Sequence, residues 1–511
     1  MLESLLTRGF LPREVPPLFS SMSLKSTIGK VMPPSFTGAK AKWTQPAQHN
    51  LARPGGLRRK LTIPNPVNFY RLANAFANNW QLLHDKWSLS PYSKTTPDPK
   101  GPRAFANSSA DRAIPRARIR VGARYIVTAD ISQFYPSIYT HSIPWALHTK
   151  KVAKAQMKNP ALPGNILDRE FQACFFGQTK GIAIGPDTSL GIAELLLSPL
   201  DFRLKEECKI LGGVRFIDDM EYSFQKLSDA EAALALLESH LSEYEVQLNV
   251  GKTRIIALPD ELESVHVTNL RPHIPESISA PPSSWIDFFN RAMVAAKAQP
   301  SAGVLRYAVG ALKTVVVSER SWSLAQSLLW QCISIDPGCL RFVVDVLLVN
   351  KNIGRAIDIE VASVAINSLI QTSAPVGHGS EVVWSIWAAM VIGLQVDLES
   401  QEAVAAMDDC LVACIATIAC ERKVFAGTFT STLWASWIVD DSFNQDHWMF
   451  VYEALRRGWY ANEVKAANLS GDVDAAFLLD ADVTFIESDM IDTYSPAGVM
   501  MMWHSGGAGD Y

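Results

Sequence analysis

Residues 212–224 read GGVRFIDDMEYSF, and Asp218 and Asp219 stand side by side there behind the apolar pair Phe216 and Ile217. Two adjacent carboxylates at a hairpin tip repel each other, and each has a raised pKa unless a cation stands near. A divalent metal removes that conflict, and oxygen ligands are what magnesium prefers. A second strand end carries a lone acid, Asp130, in YIVTADISQFYPSI. If the two strand ends lie side by side, Asp130 and Asp218 converge on one or two metals. Such a site supports in-line displacement at a nucleotide phosphate, with one ion activating the attacking oxygen and one holding the leaving pyrophosphate. An Asp-Asp pair alone is more often a solvated turn, so the pair informs only through the order of blocks around it.

The elements that must position these acids are legible in the pattern. YIVTA is a β-branched run ending at Asp130, and GGVRFIDDMEYSF reads as strand, turn, strand. The spacing predicts an amphipathic helix from about Ser142 to Met157 and a helix over Ser228–Tyr244, with Asp229 and Glu231 in its first turn, where the dipole favours them. GIAIGPDTSLGIAELLLSPL, residues 181–200, is a Gly/Pro turn opening a long apolar helix, and QLNVGKTRIIAL is a strand pair turning at Asn249–Gly251. Upstream, residues 1–60 are rich in Pro, Ser, Gly and basic residues and predict an extended arm or irregular wrap. A helix entered through proline follows from about residue 64, with Phe69, Leu72, Phe76 and Trp80 near one face. The next polar stretch offers Lys94, Lys100, Arg103, Arg112, Arg116, Arg118, Arg120 and Arg124, and alternation in RARIRV predicts a strand with basic residues on one face. RPHIPESISAPPSS, residues 271–284, reads as a linker. Beyond it the pattern is helical to the glycine-rich tail HSGGAGDY, expected to be mobile.

The chain has 511 residues, 48% of them hydrophobic, enough for two to four cores. Its longest uncharged apolar run, Val382–Val396, is shorter than the ~20 residues of a membrane helix and reads as a buried one. The start lacks the h-region of a signal peptide, and the seven cysteines are scattered and odd in number, so a reducing, cytoplasmic setting with no membrane partner is expected. Cys410 and Cys414 lie one helical turn apart with no histidine near in sequence and read as core. Net charge is −4, but residues 1–260 hold about 33 Lys and Arg against about 22 Asp and Glu, near +11, while the remainder is near −15. The basic half can neutralise phosphates; the acidic half repels them.

Four blocks occur in a meaningful order: DISQFYPSI at 130–138, GIAIGPDTSLG at 181–191, FIDD at 216–219 and LNVGKT at 248–253. Together they resemble the palm of a reverse transcriptase. The resemblance implies that Asp130, Asp218 and the backbone carbonyl of Ile131 hold two Mg²⁺ ions, for which Mn²⁺ can substitute, with Asp219 beside them. It places Tyr135 as the aromatic gate against a ribose 2′-hydroxyl and Lys252 near the triphosphate as proton donor to pyrophosphate. Gly185 and Pro186 would shape the turn under the nascent base pair. Asp187 stands where the family has glutamine, and Phe216 where retroviral enzymes have tyrosine. Arg112, Arg116 and Arg118, nearest the catalytic strand, would serve the dNTP triphosphate or a nucleic-acid strand, since Arg suits bidentate phosphate contacts.

DISQFYPSIYTHSIPWALHTK and IGPDTSLGIAE are similar, more narrowly, to the antiphage reverse transcriptases of bacteria, the abortive-infection and defence-associated, AbiK-like group. That resemblance implies an α+β protein: N-terminal extension 1–60, fingers 61–125, palm 126–260, Pro/Ser-rich linker 261–284, and an all-α HEAT-like helical repeat domain over 285–511 in place of a thumb. It implies DNA synthesis from dNTPs that is template-independent or RNA-guided, a noncoding RNA as candidate partner, a DNA product covalently attached to the protein, and a homo-oligomer, trimeric or hexameric. Relatives prime from an early tyrosine. The first tyrosine here, Tyr70, lies in a predicted helix, so Tyr511 on the flexible tail is the candidate priming residue. His141, Pro144 and Trp145 are expected to organise the helix after the catalytic strand. Trp322, Trp330, Trp384, Trp387, Trp434 and Trp437 are expected mostly in the core. Two other readings stay open: an assembly scaffold on a retired palm, and a conventional RNA-templated, retron-type enzyme.

Overall fold

A computed structural model describes residues 1–101, 103, 112–426 and 429–496. Two sheets form among them. β1 (Ala47–Ala52) and β2 (Arg58–Ile63) make an antiparallel ribbon. β3 (Tyr125–Ala129), β4 (Gly212–Phe216), β5 (Asp219–Phe224) and β6 (Arg254–Ala257) make a four-stranded antiparallel sheet in the order β4-β5-β3-β6. β3 is central because its residues suit burial: Ile126, Val127 and Ala129 are buried, and Ala129 pairs with Met220 of β5. That register carries the chain past Ala129 so that Asp130 emerges level with the β4–β5 turn. The Leu227–Glu243 helix packs on β3 and β5, and the Asp187–Glu207 helix packs on it in turn. This Asp187–Glu207 helix begins right after Pro186, whose fixed φ suits a helix entry, and it buries apolar residues over most of its circumference.

Three expectations about local structure fail. Of the strand pair expected in QLNVGKTRIIAL only the second strand, β6, forms, and Leu248 makes a single bridge to Ile131. RARIRV is not a strand: Ala113–Ile119 is a helix lying across β4 and β5. Arg116 and Arg120, four apart, share a helical face and both reach Glu221, a contact that i,i+2 alternation cannot supply. The helix expected over 142–157 is two, Ser142–His148 and Lys150–Ala155, broken at Thr149, whose φ of 78° ends the first while its hydroxyl caps the second.

The first 46 residues are no free arm. Leu5, Leu6 and Phe10 are buried, and the Phe10 ring stacks on Phe69 at 4.4 Å and lies near Trp448 and Phe485. Residues 18–20 pair with 485–487: the Glu487 N–H donates to the Leu18 carbonyl at 2.9 Å and the Ser20 N–H to that of Phe485 at 3.0 Å. Residues 261–284 carry a short helix, Val265–Leu270, packed on the Pro282–Ala298 and Val304–Gly310 helices.

From Pro282 onward the chain is helical. Glu319–Ile335 packs on Ile359–Ser373, this on Gly379–Ile392, this on Cys410–Glu421, and this on Trp448–Arg457. Asp358, Asp397, Asp409 and Asp472 each cap a helix of this region through their carboxylates. The helices also grip the β1–β2 ribbon: Arg58 pairs with Glu381, and His49 Nδ1 lies 2.8 Å from Asp409. Trp322, Trp330, Trp387 and Trp434 are buried; Trp384 donates to the Glu14 carbonyl and Trp437 stacks on His447 at 3.7 Å, so all six are used within the chain. The seven cysteines are free thiols, with Cys410 and Cys414 in the core. Among the described residues no helix is long and apolar enough to cross a membrane.

Candidate active site

The β4–β5 register pairs Phe216 with Asp219, leaving Ile217 and Asp218 as a two-residue turn. Ile217 has φ 57°, a region that β-branched side chains avoid at a cost of about 1–3 kcal/mol. The turn persists because it is held from beneath. The Ile217 N–H donates to Thr95 Oγ1 at 3.0 Å, and Arg215 Nη1 donates to the Ile217 carbonyl at 2.9 Å. Asp218 is thereby presented at the tip.

Asp130 meets this tip from the end of β3, buried to 7% exposure. The LNVGKT segment closes on it. Asn249 N–H donates to the Asp130 carbonyl at 2.7 Å, Asn249 Nδ2 approaches its carboxylate at 3.3 Å, and Lys252 Nζ lies 2.8 Å from the other carboxylate oxygen. Ile131 bridges Leu248 through the backbone of its neighbours, Asp130 and Ser132, which leaves the Ile131 carbonyl out of that pairing.

The electrostatics separate the adjacent acids. Asp218 is pushed up to about 6 by burial first, then by the charges of Asp219 and Asp130, with Lys252 pulling the other way. Asp219 points elsewhere. Its carboxylate is half exposed and pairs with Arg112 at 2.9 Å, whose guanidinium also covers the Phe216 ring at 4.7 Å. Asp130 and Asp218 therefore form a two-carboxylate set in which Lys252 is the cation paired to Asp130, with the Ile131 carbonyl adjacent in the chain. Among the described residues no group of three or more His, Cys, Asp or Glu is arranged to hold a metal. A hard divalent cation fits the smaller set nonetheless, because one or two carboxylates with water and phosphate suffice for it.

The other expected residues are placed as follows. Tyr135 is half-buried on a short helix after Asp130, its hydroxyl pushed up by burial and then by Asp218. Gly185 has φ 132°, and an added Cβ would stand 2.5 Å from Pro12, so the N-terminal wrap closes on this turn. Pro186 leads into Asp187, whose carboxylate is held by Arg103 at 2.7 Å and whose N–H donates to the Gly9 carbonyl. Arg116 is committed to Glu221, and Arg118 is exposed on the same helix. Tyr511 lies outside the described residues.

Residues 63–280 match the family described as Reverse transcriptase (RNA-dependent DNA polymerase), under half of the chain. The chain carries a reverse-transcriptase domain. Its activity class is RNA-directed DNA polymerase, a nucleotidyltransferase. No curated protein matches the chain. Among solved structures, apo telomerase from Candida Tropicalis is similar at a TM-score of 0.34 and 10% identity, over 76% of this chain and 67% of that one. A TM-score that low carries no weight for the architecture.

What sequence reasoning missed in this reverse-transcriptase domain is the support under the turn. Arg215 is fully buried, paired bidentately with Glu194 at 2.9 and 3.0 Å and with Asp201 at 2.7 Å. Thr95 and Ser198 donate to Glu194, and Ser90 and the Tyr222 hydroxyl donate to Asp201. Burial would raise Glu194, yet Arg215 outweighs it and holds that carboxyl below its ordinary range. The signal was present: an arginine inside the apolar GGVRF run, and two acids seven apart on an apolar helix, each needing a partner. Arg59 of β2 was missed too; its charge acts on the Tyr135 hydroxyl from across the turn.

Proposed function

We propose that the chain is a DNA polymerase of antiphage defence that joins dNTPs to a hydroxyl by nucleotidyl transfer, without a conventional template or under guidance of a noncoding RNA. The observation that supports this most is Asp218, lifted on a strained turn beside Asp130 and left short of positive charge. Asp130, Asp218 and the Ile131 carbonyl would hold the metals, with Asp219 beside them. When bound, two Mg²⁺ ions, replaceable by Mn²⁺, supply Lewis-acid activation and neutralise the leaving pyrophosphate. Lys252, hydrogen-bonded to Asp130, is the ammonium placed to give that group a proton. Tyr135, beside Asp218, bars a 2′-hydroxyl. Arg118 remains for phosphate, since Arg116 holds Glu221 and Arg112 holds Asp219. The defence role rests on the likeness of DISQFYPSIYTHSIPWALHTK to antiphage enzymes, and the C-terminal helices act as a HEAT-like array that assembles trimers or hexamers.

Purified protein given dNTPs and Mg²⁺ forms DNA linked to itself, and Asp218→Ala abolishes the product. No incorporation under any metal or added strand, with the fold intact, rejects the polymerase reading. Tyr511→Phe loses the covalent link if Tyr511 primes, and full adduct in that variant removes it from consideration. One arrangement favours a retired scaffold instead: Lys252 and Arg112 both sit on the acids as fixed ion pairs. Protection from phage that survives Asp218→Ala with Asp219→Ala would select that reading.

A further inference from the structure

A cavity lies on the same segment as Tyr135 but past the carboxylates. It holds about 440 Å³ between the Ser142–His148, Lys150–Ala155 and Pro163–Ala173 helices. The volume is in the range of small-ligand sites. Tyr139, His141, Trp145, Lys154, Lys158 and Arg169 are among the residues that line it. Lys154, on the second short helix, and Arg169, on the Pro163–Ala173 helix, both line the cavity.

The rings are braced against one another. Tyr139 meets His141 edge-on at 4.8 Å and Trp145 at 5.7 Å. Lys150 covers a face of Trp145 at 4.0 Å yet does not line the cavity, so the indole meets the cavity by another surface. The acid that lines it, Asp168, is buried and consumed by His141 Nδ1 and by Gln172 Nε2 at 2.6 Å. Glu245 acts on Tyr139 and His141 from outside. Lys154 and Lys158 are exposed, and the cations continue beyond the cavity to Lys150 and Lys151.

Aromatic surface beside the exposed ammoniums of Lys154 and Lys158 suits one chemistry: a base stacks while its flanking phosphates meet the cations, with Arg169, which also pairs with Glu170 at 3.3 Å, at the edge. We propose that this cavity binds a base of single-stranded nucleic acid and that Lys154, Lys158 and Arg169 hold the phosphates on either side. A strand rather than a free nucleotide is favoured because the cationic track outruns one nucleotide. The binding requires no catalysis and stands whether or not the chain polymerises.

The test uses the full chain in EDTA with a fluorescent oligouridylate of about 12 nucleotides, a length within ordinary single-strand site sizes. Trp145→Ala is expected to weaken binding about tenfold, the loss of one stacked base. Lys154→Glu with Lys158→Glu lowers the slope of log affinity against log salt by about 1.4, two phosphate contacts' worth. Replacing the uridines with 4-thiouridine and irradiating places the crosslink on the peptide containing Tyr139 and Trp145, in Asp130→Asn with Asp218→Asn protein as well. Crosslinks confined to other peptides overturn the proposal. So does unchanged affinity in both variants with circular dichroism unaltered, or a mononucleotide that competes as well as the strand.

Discussion

Beneath the Ile217–Asp218 turn, the space is filled by an arginine, two carboxylates and the hydroxyls that satisfy them. At the same depth of the helical region stand Trp387, Trp434 and Trp448, fully buried. An apolar core is nondirectional and tolerates adjustment, whereas a buried ion pair fixes angles as well as distances. Around Trp387 the helical region needs chiefly density, although Trp434 and Trp448 also donate their indole N–H to backbone carbonyls. The hairpin needs Asp218 held at one orientation against an unfavourable φ, and Arg215 reaches up to the Ile217 carbonyl to do so. The difference teaches that the polar core is there for position, since replacing a buried ion pair by apolar residues is often neutral or stabilising.

That contrast can be broken, beginning with the largest effects. Asp218→Ala is expected to cut dNTP incorporation at least about a thousandfold, roughly 4 kcal/mol of transition-state stabilisation, with no loss of melting temperature. Arg215→Met strands Glu194 and Asp201 and should cost about 3–5 kcal/mol in urea unfolding. Trp387→Ala in the helical region should cost a similar amount through its cavity. The conservative versions should then diverge. Trp387→Phe costs little, because the buried indole N–H has no hydrogen-bond partner among the described residues. Arg215→Met with Glu194→Met and Asp201→Leu should regain most of the lost stability while incorporation stays depressed. Recovery of both would mean that the polar core does not orient the turn.

Two smaller effects sharpen the comparison. Ile217→Gly relieves the left-handed strain and should stabilise the fold by about 1 kcal/mol while slowing incorporation. For Asp218, the folded pKa of about 6 exceeds its unfolded value, so the ionised carboxylate opposes folding above pH 6 and the penalty fades as pH falls toward 4. Asp218→Asn in EDTA should therefore raise stability by up to about 3 kcal/mol at pH 8 and by nothing near pH 4. Wild type alone should gain melting temperature on adding Mg²⁺. Equal curves at both pH values would show that the carboxylate is solvated.

Much of the site was legible. A β-branched run ending in Asp130, an apolar run ending in Asp218 and a turn built on Asn249 are local patterns, and each local element forms where its pattern predicts. RARIRV misled because arginines two and four apart suit a strand and a helix equally, and Glu221 on β5 decided between them. The Ser142–Met157 pattern hid a break because Thr149 has no sequence signature of positive φ.

The sequence by itself determined which residues carry charge, where strands end in acids, and in what order these blocks arrive, since those depend on neighbours along the chain. Tertiary structure alone decided that Asp218 is pressed toward Asp130 while Asp219 turns to Arg112, that Arg215 braces the turn, and that the first 46 residues bind the two halves together. Each depends on groups tens to hundreds of residues apart, and pairing at that separation is set by how surfaces close over one another.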